Sequence, residues 1–171
     1  DKEKQFEITH QVSRITHGHT RSQMACGIYV QFGINLFNGD TPEAAYEKMK
    51  DAVLKYYSKE PYIDELRHFS RIFASDISRL PIDSIKSSGY VVDSLEACLW
   101  CFLNNDSYRD TVIMAVNLGG DTDTIGALAG GLAGIYYGYK GIPKEWIRKI
   151  TKADEIIKLG ERLYQAIYIG A

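Results

Sequence analysis

Glycine recurs at every fourth position of one apolar run, at Gly126, Gly130 and Gly134, and that run opens on Gly119-Gly120-Asp121-Thr122-Asp123-Thr124-Ile125. A glycine inside a helix costs about 1 kcal/mol relative to alanine. Three on one face therefore need a neighbouring helix that approaches closely enough to compensate. The expectation is a helical bundle with this helix buried at its centre, its glycines serving packing and its N-terminus open to a cleft. Gly119 and Gly120 give the backbone freedom to approach an ion or a phosphate closely, and Asp121 and Asp123 stand at the positive end of the helix dipole.

Two readings of that turn compete. An Asp or Thr before an apolar run is the usual N-cap. One carboxylate suffices to cap, however, whereas Asp121, Asp123 and Thr124 together make an oxygen-only donor set of the kind Mg²⁺, Mn²⁺ or Ca²⁺ prefers. An EF-hand loop is excluded, because its fifth and twelfth positions fall on Ile125 and Leu132. A haloacid-dehalogenase-type phosphatase fits poorly as well: its D-x-D-x-T motif ends a strand near the chain start, whereas here the motif is late and Ile125 stands where Thr belongs.

The string from Val116 to Gly134, followed by Tyr137-Gly138, Ile142-Pro143 and Trp146, resembles the C-terminal signature of the ADP-ribosylglycohydrolase family. Ser88-Gly89-Tyr90-Val91-Val92-Asp93-Ser94-Leu95-Glu96-Ala97-Cys98-Leu99-Trp100 resembles a second block of that family, and Ile15-Thr16-His17-Gly18-His19 a third, in the family's order. The resemblance implies an all-α, compact orthogonal helical bundle of the ADP-ribosylglycohydrolase type, here as its C-terminal half. It implies metal-dependent hydrolysis of the N- or O-glycosidic bond joining ADP-ribose to a protein side chain or small acceptor. Asp121, Asp123 and Thr124 would be metal ligands for Mg²⁺ or Mn²⁺, two ions in the complete protein. His17, Gly89, Tyr90, Gly119 and Gly120 would line the ADP-ribose site. A Thr-Asp-Asp triplet and the acidic catalytic residue belong to the family's N-terminal half, and no Thr-Asp-Asp occurs here. No catalytic proton-transfer residue is therefore expected in this chain, and the N-terminal half is an expected partner. The alternative is a catalytically inactive, ADP-ribose-binding or crystallin-like structural member of the family, against which the retention of all three C-terminal ligands argues.

Charge and hydropathy exclude other classes. Twenty basic against 22 acidic residues leave a net charge of −2, so no basic field is present for nucleic acid or anionic lipid. No apolar stretch reaches the roughly 18 to 20 residues of a membrane span. The chain of 171 residues, 45% of them hydrophobic, can bury a sizeable core, and with no repeat or linker it reads as one domain. Cys26, Cys98 and Cys101 read as core thiols of a reducing cytoplasm, the expected location.

Periodicity gives helices throughout. They run from Met24 to Leu36, from Glu43 to Tyr57 after the turn Asn38-Gly39-Asp40-Thr41-Pro42, and from Ile63 to Phe73. Others run from Ser94 to Leu103, from a cap at Asp106-Ser107 to Val116, from Lys144 to Ile150 and from Ala153 to Tyr168. The charged start of the chain also looks helical. Two aromatic positions stay open. His17 either faces a ligand's pyrophosphate or ribose, as the resemblance implies, or is a buried, satisfied core residue. Tyr90 either stacks on a purine beside Gly89 or is structural, as most of 12 tyrosines must be. His19 is expected on the surface. Zinc on His17 and His19 lacks further ligands at metal spacing.

Overall fold

The computed structural model describes residues 1–74 and 76–168. Helices α1 (Lys2–Arg14), α2 (Thr20–Phe37), α3 (Pro42–Tyr57), α4 (Ser70–Ala74), α5 (Val91–Leu103), α6 (Tyr108–Asn117), α7 (Thr122–Tyr137), α8 (Lys144–Ile147) and α9 (Ala153–Tyr168) follow one another, and among the described residues no strand forms. The all-α expectation holds. None of these helices is long and apolar enough to cross a membrane.

Local chemistry sets the boundaries. Thr41 accepts from the Ala44 N–H at 3.3 Å with Pro42 in the first turn of α3, and Ser107 accepts from the Asp110 N–H at 3.0 Å at the start of α6, each satisfying a donor the helix leaves unpaired. Two helices begin earlier than their apolar periodicity suggests, α2 at Thr20 and α5 at Val91. The amphipathic segment expected as one helix from Ile63 to Phe73 is instead a 3-10 segment, Ile63–Phe69, running into the short α4. The expected helix from Lys144 to Ile150 stops at Ile147.

Met24, Ile28, Phe32 and Leu36, spaced by four on α2, are buried against an α5 whose residues from Ser94 to Phe102 are all buried. Cys98 and Cys101 lie in that core as expected, but Cys26 is only partly buried and opens onto a cleft. Between α1 and α3, His10 is 3% exposed, with Nε2 2.8 Å from the Tyr57 hydroxyl and Nδ1 3.2 Å from that of Tyr62. Burial first, and the charge of Arg14 second, push its imidazole down to about 4. The Tyr57 hydroxyl also occupies the space a side chain at Gly27 would need.

The glycine face of α7 does receive a helix. A Cβ at Gly126 would meet Val116 at 3.2 Å, one at Gly130 would meet Tyr108 and Val112 at 3.4 Å, and one at Gly134 would meet Tyr108 at 3.9 Å. Side chains at every fourth residue of α6 thus seat in glycines at every fourth residue of α7, in antiparallel order. The expectation that α7 is buried at the centre of the bundle is corrected, however. Ile125, Ala129, Leu132 and Ala133 are buried, whereas Ala127, Gly131, Ile135 and Tyr136 are exposed. Large apolar side chains of α9, among them Ile156, Leu159, Leu163 and Ile167, are also exposed.

Candidate functional site

The N-terminal ends of α2, α5 and α7 open onto one cleft of about 660 Å³, within the range of sites for small molecules and cofactors. Its walls include His19, Arg21 and Ser22 from the start of α2, Gly89, Tyr90 and Val91 from the start of α5, and Asp121 and Thr124 from the start of α7. Each helix start leaves backbone N–H groups without intrahelical partners and carries a partial positive charge, an environment suited to a phosphate or other anion. Tyr29, Leu95 and Leu128 add an apolar floor.

Two loops are locked together at this opening. The Asp121 N–H donates to the Ser87 carbonyl at 2.8 Å, and the Ser87 hydroxyl donates to the Leu118 carbonyl at 3.2 Å. Gly120, with φ +63°, fits because any Cβ there would overlap the Ser87 carbonyl oxygen. Gly119 has φ +77° and open space beside it. Both glycines stand outside the cleft lining, and Gly120 has a packing reason of its own. Gly89 does line the cleft, and a Cβ on it would come within 3.3 Å of Asp121 Oδ2.

Asp121 occupies the N-cap position of α7 without making a side-chain cap hydrogen bond. Its Oδ1 instead accepts from the Thr124 hydroxyl at 2.9 Å. The Asp121 side chain, first, and then the backbone N–H groups of Asp123 and Thr124 hold the Asp123 carboxyl below the usual carboxylate range. The two carboxylates and the Thr124 hydroxyl are hard oxygen donors, a chemistry that fits Mg²⁺ or Mn²⁺. It is a partial donor set: among the described residues no group of three or more His, Cys, Asp and Glu side chains gathers to hold a metal. Asp123 and Thr124 are exposed and Asp121 is partly buried, so further ligands can reach them.

His17 is exposed on the cleft wall rather than buried, its Nδ1 3.0 Å from the Thr16 hydroxyl. His19 is exposed as expected, yet its Nδ1 accepts from the Arg21 N–H at 3.1 Å and caps α2. Tyr90 is 42% exposed, and its hydroxyl accepts from Arg21 Nη1 at 2.8 Å. Arg21 is a cleft residue that no sequence motif marks. A cation on the polar first turn of a helix looks solvated, and its partners Glu65, His68 and Tyr90 lie 44, 47 and 69 residues away. Glu65 accepts from Arg21 Nε at 2.7 Å, and this bond holds its carboxyl below the ordinary range.

The sequence profile of the ADP-ribosylglycohydrolase family matches residues 1–169. The ADP-ribosylarginine hydrolase Tri1 of Serratia proteamaculans (strain 568) is 33% identical over 95% of this chain and 41% of its own length. The ADP-ribosyl-[dinitrogen reductase] glycohydrolase of Rhodospirillum rubrum is 32% identical over 84% of this chain and 42% of its own length. A solved ADP-ribosylglycohydrolase-related protein complex superposes with a TM-score of 0.76 at 28% identity, over 94% of this chain and 52% of that one. The chain thus spans about two fifths of the length of the two hydrolases.

Proposed function

This chain belongs to the ADP-ribosylglycohydrolase family, and from that premise we propose that its cleft binds ADP-ribose and forms part of a metal-dependent hydrolase that releases ADP-ribose from a protein side chain or small acceptor. The observation that carries the reading is the meeting of three helix starts, a carboxylate and hydroxyl turn and an exposed tyrosine in one cleft.

In this reading the N–H-rich starts of the helices and His17 hold the diphosphate or the adjoining ribose, and Tyr90 supplies an aromatic face for adenine. Asp121, Asp123 and Thr124 would hold Mg²⁺ or Mn²⁺ as part of a two-ion site whose remaining ligands, like the acidic catalytic group, are not among these residues. A bound ion there would supply Lewis-acid polarisation and ordering of the sugar toward an oxocarbenium-like transition state. The Thr124 hydroxyl orients Asp121, and the Ser87 carbonyl holds the turn that carries it. No residue of this chain is assigned the proton transfer.

The names of the Serratia and Rhodospirillum relatives point to ADP-ribosylated arginine and ADP-ribosylated dinitrogen reductase as the first acceptors to try. Calorimetric titration of the full-length gene product with ADP-ribose tests the binding half of the proposal. Saturable binding that strengthens with Mg²⁺ is expected, and absence of binding with and without the ion contradicts it.

A further inference from the structure

The three nitrogens of the Arg21 guanidinium each have one protein partner. Nε donates to Glu65 Oε2 at 2.7 Å, Nη1 to the Tyr90 hydroxyl at 2.8 Å and Nη2 to His68 Nε2 at 2.8 Å. For that last bond His68 Nε2 must accept, which puts the imidazole proton on Nδ1. The Arg67 side chain reaches the same nitrogen at 3.4 Å. Glu65 and His68 are three residues apart on the 3-10 segment Ile63–Phe69, and in a 3-10 helix side chains three apart eclipse each other. The departure from α-helical geometry thereby brings an acceptor carboxylate and an acceptor imidazole to the same fork.

At the far end of the fork stands Tyr90, on a loop that leaves 42% of it exposed. The Tyr90 N–H donates to the Ser88 hydroxyl at 3.1 Å, and the Ser88 hydroxyl donates to Asp93 at 2.6 Å, so the backbone there is braced. The ring itself is held at its hydroxyl by Arg21, whose guanidinium carbon lies 5.9 Å from the ring centroid.

We propose that Arg21 is a positioning residue: anchored by Glu65 and His68, it fixes the orientation of the Tyr90 ring in the cleft and so sets the preference for a ligand that carries an aromatic base. The inference rests on the ADP-ribose reading. It assigns Arg21 the tyrosine rather than a phosphate, because three of its five N–H donors, one on each nitrogen, are engaged by Glu65, Tyr90 and His68. A planar fork with several donors is what such a task needs, and lysine cannot supply it. Holding the ring in its bound orientation beforehand removes an ordering cost from binding.

The test is titration of the full-length gene product and its variants with ADP-ribose and with ribose 5-phosphate, which lacks the base. Arg21→Ala, Arg21→Lys and Tyr90→Phe are each expected to weaken ADP-ribose by about fivefold to tenfold and to leave ribose 5-phosphate within about twofold. The double variant Arg21→Ala/Tyr90→Phe should be no weaker than either single one, because both remove the same bond. Equal losses for the two ligands in Arg21→Ala overturn the inference, since the guanidinium would then act on the phosphate. Unchanged ADP-ribose affinity in Arg21→Ala, beside wild-type protein that binds, overturns it and leaves the ADP-ribose reading standing. Wild-type protein that binds no ADP-ribose removes both. If Arg21→Ala fails to fold, Arg21→Lys and Tyr90→Phe decide the matter by the same criteria.

Discussion

The Asp121 N–H donates to the Ser87 carbonyl at 2.8 Å, joining the carboxylate turn at the start of α7 to the loop that leads into α5. The two sides of the cleft mouth, one bearing Asp121 and the other Gly89 and Tyr90, are therefore one mechanical unit.

Gly120→Ala breaks that unit. Its Cβ would overlap the Ser87 carbonyl oxygen, and its φ of +63° is strained for any residue with a side chain. The expected loss is about 2 kcal/mol or more, together with weakened ADP-ribose binding. Gly119→Ala, also at positive φ but with open space beside it, should cost only about 1 kcal/mol. Denaturant melts of the two variants check the order, and a Gly119 variant less stable than the Gly120 variant contradicts the argument.

Much of this is legible in the sequence. The fourfold glycine spacing implied a close helix, and α6 supplies Tyr108, Val112 and Val116 to those glycines. Patterning could not say which other faces of α7 are covered, because small and apolar residues surround the helix and only packing partners decide exposure. The Arg21 fork was invisible for a different reason. It depends on a 3-10 segment that reads as an ordinary amphipathic helix, and on partners distant in sequence. Asp121, Thr124, His17, Gly89 and Tyr90 could be picked out from their motifs and do share one cleft, whereas Gly119, Gly120 and Asp123 stand outside its lining.

Stability should depend on pH through His10. Its folded pKa of about 4 lies below the unfolded value of 6.5, so between those values the unfolded chain binds more protons. The neutral imidazole's contribution is fully present above pH 6.5 and is lost as pH falls toward 4, a change of about 3 kcal/mol at most. Denaturation midpoints measured from pH 7.5 to 4 should show this slope, and His10→Gln should flatten it. An identical slope in the variant would assign the effect to other groups.

Asp123→Asn should remove divalent-cation binding while the fold persists, because a ligand charge is lost and the side-chain shape is kept. Mn²⁺ titration followed by electron paramagnetic resonance reads the first effect and thermal melting the second. A variant that binds Mn²⁺ normally but melts far earlier would make Asp123 a structural residue of the α7 N-terminus instead.

In the proposed function the Asp121-Asp123-Thr124 turn serves metal-dependent release of ADP-ribose. Its most direct measurement is the release of ADP-ribose from an ADP-ribosylated arginine peptide by the full-length gene product, with Mg²⁺ or Mn²⁺, with chelator, and with Asp123→Asn. The expected result is release that requires the ion and falls by a factor of about 100 or more in the variant, as for loss of several kcal/mol of transition-state stabilisation. Release that persists undiminished in chelator and in Asp123→Asn would contradict it.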